Sequence, residues 1–255
     1  MKKVLVIAIA VMLMGFLGCG VYEPEILPAA EQRPALKQPT SVMKILQGET
    51  RNLEFGGFTW RVLAMQGDRA LIITENIIEE RPYHASWDTY EGEDVTWETC
   101  TLRAYLNGEF YNSFSATERS SILEITNKNP DNLWYGTKGG NDTKDKIFLL
   151  SLEEADRYFG NSGDYTNMRR WNIDIDEQFF YDSEGQYMTN TYDSDRMARY
   201  NGEPCSWMLR SPGSDHILTT AALVASRGEV WVESRIIDVC YPEGVRPALW
   251  LKLGS

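Results

Sequence analysis

The chain has 255 residues, with 25 Lys and Arg against 37 Asp and Glu, and its formal net charge is −12 at neutral pH. A surface this acidic repels phosphate backbones, and no basic stripe interrupts it, which argues against nucleic acid as a partner. The same charge argues against a chain that lies flat on anionic lipid. It is compatible with cation binding, although a solvated acidic surface is the commoner explanation.

The N-terminus has the organisation of a secretory signal. Lys2 and Lys3 precede 14 apolar or glycine residues, 4–17, which are fewer than the roughly 20 that span a bilayer. The run ends in Phe16-Leu17-Gly18-Cys19, which resembles the bacterial lipobox apart from Phe16, where Leu is usual. We expect residues 1–18 to be a lipoprotein signal peptide, with a lipid on Cys19 holding the chain to the cell membrane on its extracytoplasmic side. The alternatives are an ordinary signal peptide and an uncleaved anchor.

A proline-containing segment follows the predicted lipidation site. Residues 19–45 contain no apolar periodicity, and they include Pro24, Pro28, Pro34 and Pro39. Proline fixes φ and lacks an amide donor, so this segment is predicted to be a semi-extended tether. Residues 46–255 have the length of one domain of the larger kind.

Three cysteines follow the tether, Cys100, Cys205 and Cys240. An exported chain meets an oxidising compartment, so one disulfide at most can form within it. The spacing lacks the C-x-x-C pattern typical of metal sites. We expect three small buried thiols, with a Cys205–Cys240 disulfide as the alternative.

The domain begins with the pattern of a β-hairpin between residues 55 and 75. Phe58, Trp60 and Val62 alternate with polar residues, as in a half-buried strand. Gln66-Gly67-Asp68 predicts a turn, and residues 70–74 predict the returning strand.

Helical patterns follow. A helix is predicted near residues 99–107, ending at Asn107-Gly108. Capping boxes at Ser115…Glu118 and Ser151…Glu154 predict two further helix starts. The second of these helices is expected to bury Ala155, Tyr158 and Phe159 and to end at Gly160. Residues 146–150 predict a short buried strand between the two capping boxes.

Residues 161–205 carry Asp, Asn, Gly, Tyr and Trp without a steady period, and a stretch this long without regular structure is usually functional or mobile. The last fifty residues return to β-structure. Strands are predicted at 217–224 and 230–232 around a turn at 226–229, and a final strand at 245–253.

Several longer phrases resemble one uncharacterised domain family of bacterial surface and secreted proteins. The resemblance spans residues 45–253, and the phrases that carry it are Phe55-Gly-Gly-Phe-Thr-Trp-Arg-Val-Leu63, Thr96-Trp-Glu-Thr-Cys-Thr-Leu-Arg103, Tyr105-Leu-Asn107, Thr143-Lys-Asp-Lys-Ile-Phe-Leu-Leu-Ser151, Trp207-Met-Leu-Arg-Ser-Pro-Gly213 and Gly244-Val-Arg-Pro-Ala-Leu-Trp-Leu251. That family is similar to the C-type lectin-like fold, which formylglycine-generating enzymes also use. The resemblance implies an α+β domain, with two or three short helices beside small twisted, mainly antiparallel sheets and long irregular loops.

The activities of these fold relatives do not carry over to this sequence. Cys205 and Cys240 lack the motif around the copper-handling cysteine pair of formylglycine-generating enzymes. Glu203-Pro204-Cys205 is only a fragment of the calcium-dependent lectin motif. His84 and His216 lie in no nucleophile motif and are expected to be surface or loop residues.

Paired carboxylates are the remaining candidates for chemistry. Asp174, Asp176 and Glu177 form one group, and Asp193 with Asp195 forms another. Such pairs can serve glycoside hydrolysis or bind Ca²⁺, but in an acidic protein they are mostly solvated loop. We expect no cofactor, with calcium as the alternative. The enzyme alternative is a secreted hydrolase or a metal- or cysteine-dependent oxidoreductase.

The leading hypothesis is a non-catalytic extracytoplasmic domain that binds a glycan, peptide or protein through residues 161–235. A structural role in a cell-envelope assembly is a third alternative. Exposed aromatic residues beside carboxylates often bind sugars or peptides. The candidate ligand-binding residues are Trp171, Tyr181, Tyr187, Tyr192 and Trp231.

A second set of residues is expected to be structural: Trp207, Arg210, Gly213, Gly244 and Arg246. Both arginines are expected to stack on aromatic rings and to bond to loop carbonyls. Gly213, Gly228 and Gly244 are expected to occupy turns.

Overall fold

The described part of the chain is a mixed α+β structure built from small sheets and a few short helices. The computed structural model describes residues 51–85, 95–133, 135–159, 193–213, 221–231 and 242–253. Its strands are β1 Asn52–Phe55, β2 Phe58–Gln66, β3 Arg69–Thr74, β4 Glu79–Pro82, β5 Ile122–Leu123, β6 Ile125–Asn127, β7 Thr143–Asp145, β8 Ala198–Tyr200, β9 Glu203–Cys205, β10 Trp207–Pro212, β11 Ala221–Val224, β12 Val230–Trp231, β13 Pro242–Val245 and β14 Ala248–Lys252. Its helices are α1 Thr101–Tyr105 with a π-helical turn Leu106–Phe110, α2 Ala116–Ser121, α3 Leu152–Phe159 and α4 Asp193–Arg196.

The first sheet, of order β1-β2-β3-β14-β5, contains the predicted N-terminal hairpin. All its strand pairs are antiparallel, and Trp60 of β2 lies opposite Thr74 of β3. Trp60 is fully buried, and its indole Nε1 donates to the carbonyl of Phe55 over 2.8 Å. The hairpin prediction is confirmed.

The second sheet, of order β12-β11-β10-β13-β4, has the fully buried strand β10 at its centre. Strand β10 runs parallel to β13, where Trp207 lies opposite Gly244. Gly244 is therefore a strand residue, and its prediction as a turn glycine is wrong. A Cβ atom at Gly244 would lie 2.3 Å from the carbonyl oxygen of Ser206, so only glycine permits this approach. Gly213 also lacks the positive φ expected of a turn glycine, whereas Gly228 has φ of 94°.

The first helix does not stop at Asn107-Gly108 as predicted. It continues through the π-helical turn to Phe110, and the Asn107 side chain bonds to the interior instead of ending the helix. Its amide donates to the carbonyls of Arg103 and Ile147, over 3.1 and 2.8 Å, and its Oδ1 accepts from the amide of Lys146. Asn107 thus joins the helix to the segment that follows β7.

Both predicted capping boxes are confirmed. The amide of Glu118 donates to Ser115 Oγ over 3.2 Å, and the Ser115 amide donates to the Glu118 carboxylate over 2.7 Å. The equivalent bonds between Ser151 and Glu154 are 3.1 and 2.9 Å long, and they begin α3. Ala155 and Phe159 are buried, as expected, and Tyr158 is half-buried. The predicted end of α3 at Gly160 lies outside the described residues.

The buried segment 146–150 is not a regular strand, contrary to prediction. Phe148 alone pairs in β-fashion, exchanging two backbone bonds with Ala248 of β14. The neighbouring carbonyls accept from Arg210 instead: Leu149 from its side chain and Leu150 from its amide. Hydrogen bonding to an arginine therefore replaces a ladder partner here.

The stretch 161–205 is regular in its described part, which corrects the expectation of irregular structure. Residues 193–205 form α4 and the hairpin β8–β9, whereas residues 161–192 lie outside the described residues. The hairpin turns at Asn201 and Gly202, whose φ angles are 51° and 90°. Asn-Gly is the strongest short-range hairpin signal in a sequence, so this turn could have been predicted.

The described part of the predicted C-terminal β-structure is confirmed with one break, whereas residues 217–220 and 232 lie outside the described residues. Strands β11 and β12 pair around the expected turn. The predicted strand 245–253 is interrupted at Arg246 and Pro247, so that β13 belongs to the second sheet and β14 to the first. Cys100 is buried and Cys205 only half-buried, which corrects its expected burial, and both are free thiols. Cys240 lies outside the described residues.

Candidate functional site

Most of the predicted ligand-binding residues have no described position. Trp171, Tyr181, Tyr187 and Tyr192 lie outside the described residues, as do the predicted lipidation site Cys19, the histidine His216 and the carboxylates Asp174, Asp176 and Glu177. Trp231 is half-buried at the end of β12, where it packs against Leu223 and Ala225. It is thus an edge residue of the second sheet.

Arg246 is fully buried between two aromatic rings. Its guanidinium carbon lies 4.9 Å from the centre of the Trp207 ring and 5.2 Å from that of Phe159. It donates to the carbonyls of Thr74, Glu75 and Arg196 over 2.8, 3.0 and 3.2 Å. Burial lowers the pKa of Arg246 to about 9. These contacts join β10, α3, α4 and the end of β3 to the segment that follows β13, in the interior of the domain.

Arg210, on β10, connects three separate segments of chain. Its Nη1 donates to the Leu149 carbonyl over 2.7 Å and forms an ion pair with Glu154 of the second capping box. Its Nε and Nη2 donate to Asn129 Oδ1 and to the Lys128 carbonyl, both over 3.3 Å. One buried guanidinium therefore fixes the start of α3 and also the start of the loop after β6.

That loop, residues 128–142, joins β6 to β7, and we call it the braced loop. Its ends are held together by the β6–β7 pairing of Asn127 with Thr143 and by an ion pair between Lys128 and Asp142. A compact surface loop with adjacent ends that packs on its own side chains is an Ω-type loop, a kind that is frequently functional.

Two buried asparagines hold the braced loop from inside. The side-chain amide of Asn129 donates to the Asn141 carbonyl over 2.7 Å. The side-chain amide of Asn132 donates to the carbonyls of Pro212 and Gly213, at the end of β10, over 2.9 and 3.2 Å. Asn132 also closes a turn, because its Oδ1 accepts from the Tyr135 amide over 3.2 Å. The loop is therefore tied both across itself and to the second sheet.

The returning half of the loop packs closely against the outgoing half. A Cβ atom at Gly139 would lie 2.3 Å from the carbonyl oxygens of both Asn129 and Pro130. The Asn141 side chain donates to Glu98 over 2.9 Å, which ties this half to the segment before α1. The backbone of the loop is thus fixed on both sides.

The buried carboxylate of Asp145 holds β7, the strand that follows the braced loop. Asp145 Oδ2 accepts from Trp97 Nε1, Asn127 Nδ2 and Thr143 Oγ1 over 3.0, 2.9 and 2.6 Å. Its Oδ1 accepts from Arg103 Nε over 2.6 Å. Because both oxygens are bonded and the group is buried, Asp145 acts here as a structural anion rather than a reagent.

The tip of the braced loop carries an apolar side chain to solvent. Leu133 is 60% exposed, and the other exposed large hydrophobic residue of the described part, Met65, is 38% exposed. Tyr135 beside it is half-buried. An exposed pair, Asp131 and Lys138, joins the two sides of the loop near the tip over 2.7 Å. Leu133 is thus an exposed apolar side chain on a loop whose two sides are joined by an ion pair.

A second polar cluster lies where β9 and β10 meet β4 and β13. Cys205 Sγ donates to Glu80 Oε1 over 3.6 Å, and Ser206 Oγ donates to Glu243. Burial raises the pKa of Cys205, with repulsion from Glu80 adding to it, and burial likewise raises the pKa of Glu243. A raised thiol pKa is the opposite of what activates a cysteine nucleophile.

The remaining candidates for chemistry are dispersed. His84 lies in an irregular segment, one of its two predicted settings, but it is buried and not on the surface, and burial lowers its pKa. The backbone carbonyl of Asp195, in α4, accepts from Arg61 over 2.9 Å. Within the described ranges, no three His, Cys, Asp or Glu side chains are grouped closely enough to hold a metal ion.

The braced loop was not predicted, although the sequence carries a signal for it. Residues 128–142 are rich in Asn, Asp and Gly, and Leu133-Trp134-Tyr135 interrupts that polar run. Apolar residues in the middle of a turn-forming segment are buried only if the loop folds back onto the domain, and otherwise they are exposed. That contrast favours an exposed tip.

Comparison with known proteins gives one match. The model of one family, a domain of unknown function (DUF6273), matches residues 67–253. No curated protein and no solved structure matches the chain. Among the residues with a described structure, none of the helices has the length and apolar character needed to cross a bilayer.

Proposed function

The chain belongs to the DUF6273 family, and from that premise we propose that it is a non-catalytic binding domain, lipid-anchored on the extracytoplasmic face of a membrane, which contacts a protein, peptide or glycan through the braced loop. The observation that carries the proposal is the exposure of Leu133 at the tip of a loop whose base is fixed. Binding residues are disproportionately found on loops that a rigid scaffold positions.

The arrangement of the family phrases supports a loop-presenting role. The phrase 96–103 supplies Trp97 and Arg103 to Asp145, which itself belongs to the phrase 143–151. The phrase 207–213 supplies Arg210 and two carbonyls to the braced loop. The polar residues of three separated phrases thus converge on the base of one loop.

The membrane location and the C-type lectin-like fold are part of the same proposal. The Lys2-Lys3 start, the short apolar run and Cys19 support a lipid anchor, and the proline-containing residues 19–45 support a tether. Small mixed sheets with a long loop between β6 and β7 are compatible with a C-type lectin-like domain, and we propose that fold for residues 46–255.

A secreted enzyme is the second candidate. The observation in its favour is the cluster of Cys205, Glu80, Ser206 and Glu243, in which a carboxyl group of raised pKa could donate a proton. Stoichiometric copper or zinc in the purified chain would favour this candidate, whereas calcium alone would not.

Glycan and peptide arrays probed with the purified full chain test the binding proposal. We expect binding that Leu133→Ala abolishes and that Met65→Ala leaves intact, because Met65 is the matched exposed apolar residue on β2. Absence of binding above background by a folded chain would contradict the proposal. Binding that both variants retain would exclude the braced loop as its site.

A further inference from the structure

We infer that Asn201, in the turn of the β8–β9 hairpin, is a site of spontaneous deamidation, in which its side-chain amide becomes a carboxylate. The inference does not depend on the proposed binding function. Deamidation is least hindered where glycine follows asparagine, because glycine has no Cβ to obstruct its own amide nitrogen. The sequence contains this pair twice, at Asn107-Gly108 and at Asn201-Gly202. The structure places the two pairs in opposite settings.

The reaction needs only the chain and water. Base removes the proton from the Gly202 amide nitrogen, and this nitrogen attacks Asn201 Cγ. A bond forms between these two atoms, the bond from Cγ to Nδ2 breaks, and Nδ2 takes up a proton and leaves as ammonia. Water then opens the cyclic imide at one of its two carbonyl carbons, and the product is aspartate or isoaspartate.

The hairpin turn leaves both reacting groups of the second pair accessible. Asn201 and Gly202 are both exposed, and their φ angles are 51° and 90°. A Cβ atom at Gly202 would meet nothing within 4 Å, so the space around its backbone is open. In the part of the chain that the structure describes, neither the Asn201 side chain nor the Gly202 amide is held by a hydrogen bond.

The first pair is held away from the reaction by its hydrogen bonds. Asn107 Nδ2 donates to the carbonyls of Arg103 and Ile147, and Asn107 Oδ1 accepts from the amides of Lys146 and Ile147. Gly108 lies inside the π-helical turn, and both residues of the pair are half-buried. Attack of the Gly108 nitrogen on Asn107 Cγ therefore requires the side chain to lose these bonds and the turn to open.

The products change the charge and the geometry of the hairpin. Either product adds one negative charge to a chain of −12, next to the exposed Glu203. Isoaspartate also adds a methylene group to the main chain, which a two-residue turn that pairs Tyr200 with Glu203 does not accommodate. The isoaspartate form therefore loosens the hairpin that places Cys205 beside Glu80.

The test is incubation of the purified full chain in mildly alkaline buffer, folded and in urea, followed by mass spectrometry of its proteolytic peptides. In the folded chain we expect Asn201 to deamidate faster than Asn107 by about tenfold or more, because Asn107 reacts only after local opening. In urea we expect the two rates to become similar. Isoaspartate-specific enzymatic methylation should label the peptide that contains residue 201.

The matched variants are Asn201→Asp and Asn112→Asp, each of which replaces an exposed asparagine with the acidic product. Ion-exchange chromatography follows the acidic form that accumulates in each folded chain. We expect its accumulation to slow in Asn201→Asp and to be unchanged in Asn112→Asp, with similar melting temperatures for both variants and the unmodified chain.

Three outcomes would overturn the inference. The first is a folded chain in which Asn201 stays unmodified while it reacts in urea. The second is deamidation of Asn107 as fast as that of Asn201 in the folded chain. The third is an acidic form that accumulates in Asn201→Asp at the rate of the unmodified chain, which would assign the modification to other asparagines.

Discussion

At the residue scale, the buried arginines stabilise the fold by stacking on aromatic rings and by donating hydrogen bonds to backbone carbonyls. The position of Arg246 among Trp207, Pro247 and Trp250 in the sequence suggested stacking and carbonyl contacts. The sequence could not identify Phe159, Thr74 and Arg196 as its partners, because these are brought together only by the pairing of distant strands.

Replacing Arg246 with alanine is expected to destabilise the fold. The substitution removes the Arg246 donors to the carbonyls of Thr74 and Glu75, whereas the Arg196 carbonyl keeps its bond from Trp207 Nε1. It also removes the packing against Trp207, and we expect a loss of about 2–4 kcal/mol. The control is Arg69→Ala, since Arg69 is exposed and its loss should change stability by about 0.5 kcal/mol or less. Urea denaturation of the two variants measures the difference. Equal stability of both would contradict the structural role of Arg246.

Gly244 is predicted to be intolerant of any side chain. A Cβ atom there meets the Ser206 carbonyl, so Gly244→Ala must separate β10 from β13. We expect a loss of about 1–3 kcal/mol or more. Gly108→Ala is the matched control, because Gly108 has open space around it and lies in a helical turn, where alanine is favoured by up to about 1 kcal/mol. Thermal melting compares them, and a tolerated Gly244→Ala would show the close approach to be wrong.

At the element scale, signals confined to a few adjacent residues were predictable from the sequence. Both capping boxes and the β2–β3 hairpin were found because each depends on local spacing. The helix end at Asn107 and the strand at 146–150 were predicted wrongly, because Asn107 and Arg210 bond to residues far along the chain. The braced loop has a local sequence signal in residues 133–135, but its bonds to Pro212 and Gly213 depend on residues far along the chain.

The two carboxyl groups at element ends should respond to pH in opposite directions. Burial alone would raise the pKa of Glu154, but attraction to Arg210 and bonds from Ser151 outweigh it and leave that pKa below its ordinary value. Its contribution to stability is therefore complete at neutral pH and is lost as pH falls through the folded pKa. Burial raises the pKa of Glu243, so its contribution is complete in acid and is lost as pH rises through that pKa.

The corresponding variants are Glu154→Gln and Glu243→Gln. Relative to the unmodified chain, we expect Glu154→Gln to destabilise more at neutral pH than in acid. Glu243→Gln should be better tolerated at neutral pH than in acid. Denaturation across pH measures both, and parallel pH profiles for the two variants would refute the assigned directions.

At the scale of the whole molecule, composition and the order of motifs were the informative signals. They led to an uncharacterised family and a mixed α+β class, and the family match over residues 67–253 and the two sheets agree with both. The ligand could not be predicted from sequence, because a binding surface depends on which side chains remain exposed after folding. Leu133 stands out only once the loop around it is built.

The predicted anchor gives a whole-molecule experiment. In bacterial cells, we expect the chain to fractionate with membranes, with an intact mass equal to residues 19–255 plus a lipid on Cys19. Cys19→Ala should abolish the lipid mass and the processing after residue 18, because the thiol is the acylated group. An unprocessed, unmodified chain in the cytosol would contradict the anchor.

The most direct test of the central claim, that a pre-ordered loop presents Leu133, is amide hydrogen exchange over residues 128–142 of the full chain without ligand. We expect slow exchange at Asn132, Tyr135 and Gly136, whose amides are bonded within the loop. We also expect faster exchange there in Asn132→Ala, but not in the control Asn112→Ala at an exposed site. Exchange in the unmodified chain as fast as in an unstructured peptide, or unaffected by Asn132→Ala, would contradict it.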